Sequence, residues 1–227
     1  MALLGSAVLA FWHDIAPGGD AEFNHWHTQE HIPERVGVPG FLRGRRYEAA
    51  GRGPRYFNLY ETEDLGVLDS PPYVERLQHP TPWTRRALPL FRGSKRTACR
   101  TVLSLGLGLG GALATLDLGP ESGRAEELRG WLTRTALPAL SHRPAIVGVH
   151  LCEADVATTQ AKSKTAEGGL QDRSDVMARW VVLVEGISPE VVEAAAQELL
   201  GPEGAGRHGA APEVALAVYR LAYCLAR

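Results

Sequence analysis

The chain has 227 residues, 44% of them hydrophobic, and a formal net charge of −2. That is enough apolar material for one large domain or two small ones, and the near-neutral charge excludes an electrostatic footprint for nucleic acid or an anionic membrane. Three scattered cysteines, Cys99, Cys152 and Cys224, point to a reducing compartment without a disulfide framework, so a cytoplasmic location is expected. No uninterrupted apolar run reaches the ~20 residues of a membrane span. The apolar start lacks a basic n-region and leads straight into a strand-like segment, so it does not read as a signal peptide.

Residues 6–14 read as a strand. An amphipathic helix follows, with Asp20 expected as N-cap after Gly18-Gly19 and Glu22 in the first turn. Pro33 disfavours helix at Ile32, so the helix is expected to stop near His31. Phe23, Trp26, His27, Glu30 and His31 share one face at i, i+3, i+4, i+7 and i+8. The C-terminal half of that face is His, Glu, His, which is costly to bury unless the groups find partners or line a cavity. Residues 41–49 and 55–61 read as strands, 64–79 as helical until Pro80 and Pro82, and 96–105 as a fourth strand. The order is β-α-β-β-α-β, the ferredoxin-like unit.

The order then repeats: strand 112–116, helix 121–137, strands 145–153 and 179–185, helix 189–200 and strand 213–225. An offset of 105 places Trp26 on Trp131, Phe23 on Leu128, Pro33 on Pro138, Pro39 on Pro144 and Glu48-Ala49 on Glu153-Ala154. After the polar segment at about 154–178 the offset becomes 124, with Arg55 on Arg179, Tyr56 on Trp180 and Glu61 on Glu185. We read an internal duplication: residues 1–105, a Gly-rich flexible linker 106–111, and a diverged second copy, 112–227. His27, Glu30 and His31 fall on Leu132, Thr135 and Ala136, so copy two keeps this face apolar. That contrast assigns the polar face to function and gives one site per chain. The 154–178 segment reads as a long hairpin insertion, either a mobile surface loop or a lid.

At Phe23-Asn24-His25-Trp26, Glu30-His31-Ile32-Pro33-Glu34-Arg35, Val38-Pro39-Gly40-Phe41, Arg45-Arg46-Tyr47-Glu48, Tyr60-Glu61 and the 70–85 stretch, the chain resembles the EthD-like proteins of the dimeric α+β-barrel superfamily. The resemblance covers the first 105 residues well and the second copy in outline. It implies α+β architecture in which two ferredoxin-like sheets close a barrel, here within one chain, with a pocket between sheet and helices or inside the barrel. The superfamily includes cofactor-free monooxygenases, isomerases, cyclases and dehydratases, and heme-binding branches. A homodimer is left open.

His31 is the expected acid/base, positioned at a helix C-terminus where the dipole favours imidazolium. Glu30 or His27 is its expected orienting partner, with Glu34 a further carboxylate. Arg46, Tyr47, Asn58 and Tyr60 lie on adjacent strands and could hold a substrate oxygen. Trp26 and Trp83 supply aromatic surface, and Arg85 or Arg86 could bind a carboxylate. The competing reading is a histidine hydrogen-bonded within a packed core. His27-Thr28-Gln29-Glu30-His31 also spells H-x-x-E-H, but no third ligand segment follows, so zinc proteolysis is not expected. A non-proteolytic divalent metal on His27 and His31, with His25 or Glu61, or a heme, is the alternative. Trp12, His13 and Asp14 end the first strand near a pocket mouth, and Asp14 reads as turn chemistry. Gly106-Leu107-Gly108-Leu109-Gly110-Gly111 satisfies G-x-G-x-x-G but precedes a strand, so it does not bind a dinucleotide. The expectation is a small-molecule enzyme without a tightly held organic cofactor, doing proton transfer, elimination or rearrangement on an apolar or aromatic, polyketide-like molecule. The alternative class is a non-catalytic binding or structural module.

Overall fold

Eight segments rich in β-branched and aromatic residues pair until no sheet edge is left. They are β1 (Ala7–Ile15), β2 (Phe41–Ala49), β3 (Tyr56–Thr62), β4 (Phe91–Gly106), β5 (Ala112–Leu118), β6 (Ile146–Ala154), β7 (Trp180–Gly186) and β8 (Ala215–Ala226). The computed structural model describes residues 3–161, 165–171, 177–201 and 203–227. The strand order is β1-β3-β2-β8-β5-β7-β6-β4, closing on β1, and every pairing is antiparallel. Read as halves, β4-β1-β3-β2 and β8-β5-β7-β6 are two ferredoxin-like sheets. The halves are stitched by the two long strands. The first part of β4 pairs with β1 and its second part with β6, while β8 pairs first with β5 and then with β2. Closure removes the exposed edges that either half would leave alone.

Helices cover the outside. In the first half these are α1 (Asp20–Trp26), α2 (Ile32–Val36), α3 (Pro71–Gln78) and α4 (Pro82–Ala87). In the second they are α5 (Ala125–Trp131), α6 (Leu137–Ser141) and, after α7 (Val156–Ala161) in the insertion, α8 (Pro189–Leu200). Among the described residues no helix is long and apolar enough to cross a membrane.

The first helix does not stop at His31. A π turn, His27–His31, joins α1 to α2, and the Ile32 N–H donates to the His27 carbonyl. The wider turn makes room for the Pro33 ring, which in a regular helix would press on the preceding turn and leave a carbonyl without its N–H. The same π turn recurs at Leu132–Ala136 before Pro138. It therefore belongs to the repeated fold, and Leu132, Thr135 and Ala136 make it as well as His27, Glu30 and His31 do. Asp20 is not the N-cap either. Gly19 holds that position, and the Asp20 carboxylate accepts from Tyr56 Oη at 2.8 Å and pairs with Arg55.

Period-two alternation sends one face of each strand inward. The barrel interior is filled by Trp12, Tyr47, Phe57, Leu113, Val181 and Tyr219. It also holds charge. Arg45, fully buried, pairs with Glu61 and Glu185 at 2.9 Å each. Arg43 grips Glu61 with two bonds of 2.8 Å, and Glu185 accepts from the Gly110 N–H at 3.0 Å and lies 3.4 Å from His150 Nε2. This clasp joins the halves across their seam. The glycine segment is accordingly built in rather than slack. A Cβ on Gly106, at φ +125°, would sit 2.3 Å from the Val147 carbonyl oxygen, and one on Gly110 would sit 2.7 Å from Gly186 backbone.

The insertion is not a free hairpin. It leaves β6 and folds over the first half. Ala98 N–H donates to Thr159 Oγ1 at 3.0 Å, Thr158 Oγ1 to Asp69 at 3.1 Å, and Glu167 N–H to the Leu77 carbonyl at 3.0 Å. Residues 162–164 and 172–176 of the expected lid lie outside the described residues.

Candidate active site

The helix face of the first half packs on the outer faces of β1, β3 and β4. Phe11, Phe23, Trp26, Tyr56 and Phe91 form an aromatic layer there, with His13 buried among them. Burial, with Arg46 adding to it against a backbone bond at Asp14, holds His13 at about 3, so it is neutral. Its Nε2 lies 2.9 Å from Asn58 Nδ2.

Beside this layer is a small cleft of about 20 Å³, lined by Leu9, Phe11, Phe41 and Tyr60 from the sheet, His31 and Arg35 from the helix, Tyr73 from α3, Arg96 from β4 and Gln171 from the insertion. That is space for about one water. His31 is partly buried on its wall. One His31 ring nitrogen and one carboxylate oxygen each of Glu34 and Glu167 lie within 4.8 Å of one another. Burial raises the Glu34 carboxyl against the pull of Arg35. Arg35 is buried and binds Glu34 at 3.1 Å and Glu167 by a close ion pair. Glu167 thus ties the insertion to the helix.

The structure brings only part of the expected set to this cleft. Tyr60 is there, with its hydroxyl 3.3 Å from His27 Nε2. Burial raises the Tyr60 phenol, and burial, reinforced by the charges of Arg46 and Arg35, pushes His27 well below the usual histidine range. This pair is therefore a neutral hydrogen-bonded one, and His27 stacks on His31 at 5.3 Å between centroids. Glu30 turns the other way: it accepts from Trp26 Nε1 at 3.1 Å, Thr81 at 2.6 Å and Thr84 at 3.1 Å, fastening the helix to α4. Trp26 is fully buried, 4.3 Å from the His31 ring. The helix runs on to Val36, so the helix-end dipole does not act at His31; among the described residues, Glu34, Glu167, Arg35 and Arg96 are charged groups around the cleft it lines.

The other expected residues lie elsewhere. Tyr47 points into the barrel, where its hydroxyl accepts from Arg45 at 2.8 Å, because neighbours on a strand face opposite ways. Arg46 is on the helix side but bonds Thr28 at 2.9 Å and stacks on Tyr223; burial lowers it. Trp83 donates to Glu22 and packs on His25 at the outer surface, and Arg85 donates to the Pro80 carbonyl. Trp12 enters the barrel, and Asp14, still within β1, accepts from the Arg55 N–H of a distant segment rather than closing a local turn. The metal sets expected from sequence do not assemble. His25 is at the surface, Glu61 is in the barrel clasp, and the His27 and His31 rings stack rather than converge. Of the described residues, His31, Glu34 and Glu167 are the ones placed to hold an ion.

Sequence reasoning missed Arg96, Tyr73, Glu167 and Gln171. Arg96 did leave a signal, a charged residue at a position of β4 that faces the helices. The larger hollows are less apt. A groove of about 190 Å³ in the second half is lined by Trp131, Thr135, Ala136 and the surface pair Arg143–Glu198. It has no histidine.

No family model and no curated protein sequence matches the chain. Solved structures do. An anthrone oxidase-like protein superposes with a TM-score of 0.65 at 12% identity, covering 97% of this chain and 92% of that one. A ferredoxin-fold protein related to antibiotic biosynthesis monooxygenases, from Listeria monocytogenes, gives 0.51 at 10% identity, covering 97% of each chain. A heme-binding protein from Thermus thermophilus gives 0.52 at 12% identity, covering 96% and 92%. With the closed strand order, these likenesses give this chain the dimeric α+β-barrel fold, both ferredoxin-like halves in one polypeptide.

Proposed function

We propose that the cleft beside His31 is the site of a small-molecule enzyme acting on a largely apolar, aromatic compound, with His31 as acid/base. The observation that carries this reading is the contrast between halves. The same π turn presents His31 to an aromatic cleft in one half and Ala136 to an apolar layer and the edge of a groove without a histidine in the other. His31 takes a proton from an acidic carbon or hydroxyl, and the carboxylates of Glu34 and Glu167 stabilise the imidazolium that forms. Tyr60, held protonated, offers its hydroxyl to the substrate oxygen. The cleft is nearly closed, so the insertion must shift for a ligand to enter. The anthrone oxidase-like likeness supports the aromatic class, as does the cleft lining.

The test is solvent exchange at an acidic carbon, using 2-tetralone in D2O as probe. Wild type accelerates deuterium uptake, and His31→Ala lowers that rate by about 10²-fold or more, the usual share of a positioned acid/base. Equal rates in both proteins would overturn the assignment.

Heme does not fit. The helices lie directly on the sheet through Phe23, Trp26 and His27 in the first half and Leu128, Leu132 and Leu137 in the second, all essentially unexposed. A porphyrin would have to displace one of these layers. A divalent metal on His31, Glu34 and Glu167 is the second reading, resting on their mutual 4.8 Å spacing. Arg35 already supplies the counter-charge to both carboxylates. Elemental analysis of wild type and His31→Ala separates the two: stoichiometric metal lost in the variant replaces the acid–base reading.

A further inference from the structure

The cleft holds a buried cation that no described residue neutralises. Arg96 is 7% exposed. Among the described residues no carboxylate pairs with it. Its hydrogen bond is Nη1 to the Thr159 carbonyl at a long 3.3 Å, and its Nε has no partner. Burying a guanidinium without a counter-charge is costly. The other buried arginines avoid the cost. Arg35 has Glu34 and Glu167, and Arg45 has Glu61 and Glu185. Arg46, which does not line the cleft, has Thr28 and aromatic faces.

The placement of Arg96 is specific to the first half. In the β1–β4 register Phe11 faces Arg96; in the matching β5–β8 register Leu116, the counterpart of Phe11, faces Leu216. The fold therefore needs no cation at this position. Both departures from the apolar pattern, His31 for Ala136 and Arg96 for Leu216, line one cleft.

We infer that the ligand enters this cleft as an oxyanion held by Arg96: a small aromatic acid bearing a carboxylate, or an ionised phenol or enol. The inference deepens the reading of the cleft as a substrate site and rests on it. A planar guanidinium matches two oxygens in one plane, and its Nε edge is the one the protein leaves unbonded. The Thr159 carbonyl, carried by the insertion, is the acceptor the ligand replaces when the insertion moves aside. Arg96 then also faces the oxygen on which charge collects when His31 removes a proton from the adjacent carbon. The proton goes to the imidazole and the electron pair to the oxygen.

The test is calorimetric titration of the full chain with 2-naphthoate, its neutral isostere 2-naphthamide, and 4-nitrophenolate. Wild type should bind naphthoate at least tenfold tighter than the amide. Arg96→Met should erase that preference while leaving amide binding in place, Arg96→Lys should keep part of it, and His31→Ala should keep it. Tight 4-nitrophenolate binding without naphthoate binding would assign the phenol class and keep the inference. Measurable but equal affinity for acid and amide in wild type, with 4-nitrophenolate bound no tighter than either, overturns the inference and leaves the cleft reading standing, whether or not the methionine variant folds. A preference that survives Arg96→Met also overturns it. Absence of binding by all three probes overturns the inference and the cleft reading together.

Discussion

Replacing Arg45 with methionine tests how the two halves are locked. Arg45 and both of its carboxylate partners are fully buried. Burial alone would raise the Glu185 carboxyl, but the Arg45 charge, with nearby His150 and the Gly110 N–H, outweighs it and holds Glu185 at about 2. Against an ordinary value of 4.5, that depression corresponds to about 3 kcal/mol of stability at neutral pH. Because the folded value lies below the unfolded one, the contribution is complete above about 4.5 and is lost as pH falls through about 2. In Arg45→Met, Glu61 keeps Arg43, whereas Glu185 keeps, among the described residues, His150 and the Gly110 N–H. Burial then dominates and raises Glu185, so the variant regains stability on protonation as pH falls. The gap between the proteins should be about 3–5 kcal/mol at pH 7, the usual cost of breaking a buried pair, and should narrow as pH falls, above about 4.5 because the variant's Glu185 takes up its proton and below it because the wild-type contribution is lost. Urea titrations followed by tryptophan fluorescence from pH 3 to 8 measure it, and the difference curve cancels contributions such as that of His13. A gap under about 1 kcal/mol at pH 7, or one that widens on acidification, would refute the reasoning.

Glu167→Gln removes the charge that ties the insertion to Arg35. Amide exchange over residues 165–171 should quicken by about tenfold or more, equivalent to at least ~1.4 kcal/mol of local stability, with the barrel strands unchanged; a uniform effect would place the tie elsewhere. Gly106→Ala puts a Cβ onto the Val147 carbonyl at a positive φ and should cost about 2 kcal/mol or more in thermal unfolding. Gly108→Ala meets nothing within 4 Å and should be neutral or slightly stabilising. Similar losses at both positions would contradict the packed account of this segment.

The two halves of the same fold divide their packing differently. The second half packs its helices on an all-apolar layer and supplies stability. The first spends part of the same layer on histidines and an arginine, and borrows the insertion of the second half to cover them. The insertion has no counterpart after β2, and its described residues pack on the first half beside His31.

Element order and the duplication were legible in the linear chain because they rest on local periodicity and on matched positions such as Trp26 and Trp131, which a constant offset exposes, and the resemblance to the EthD-like proteins implied the closed barrel. The helix boundary at Pro33 was misjudged because a proline breaks a regular helix, and only the backbone shows that a π turn relieves the clash. Tyr47 and Arg46, adjacent and equally polar, could not be sorted, since the face a strand residue takes depends on which side the helices pack. Glu30 had the right type and spacing for an acid/base partner, yet its nearest donors, Thr81 and Thr84, come from a segment fifty residues on. Arg96 and Glu167 meet the helix of His31 only because β4 closes the barrel beside β1 and the insertion crosses back from the other half. The sequence by itself determined the architecture and which half carries the polar face, because both follow from pattern. Tertiary structure alone decided which polar groups share a cleft and which buried charges lack a partner, because those depend on long-range closure that no local pattern encodes.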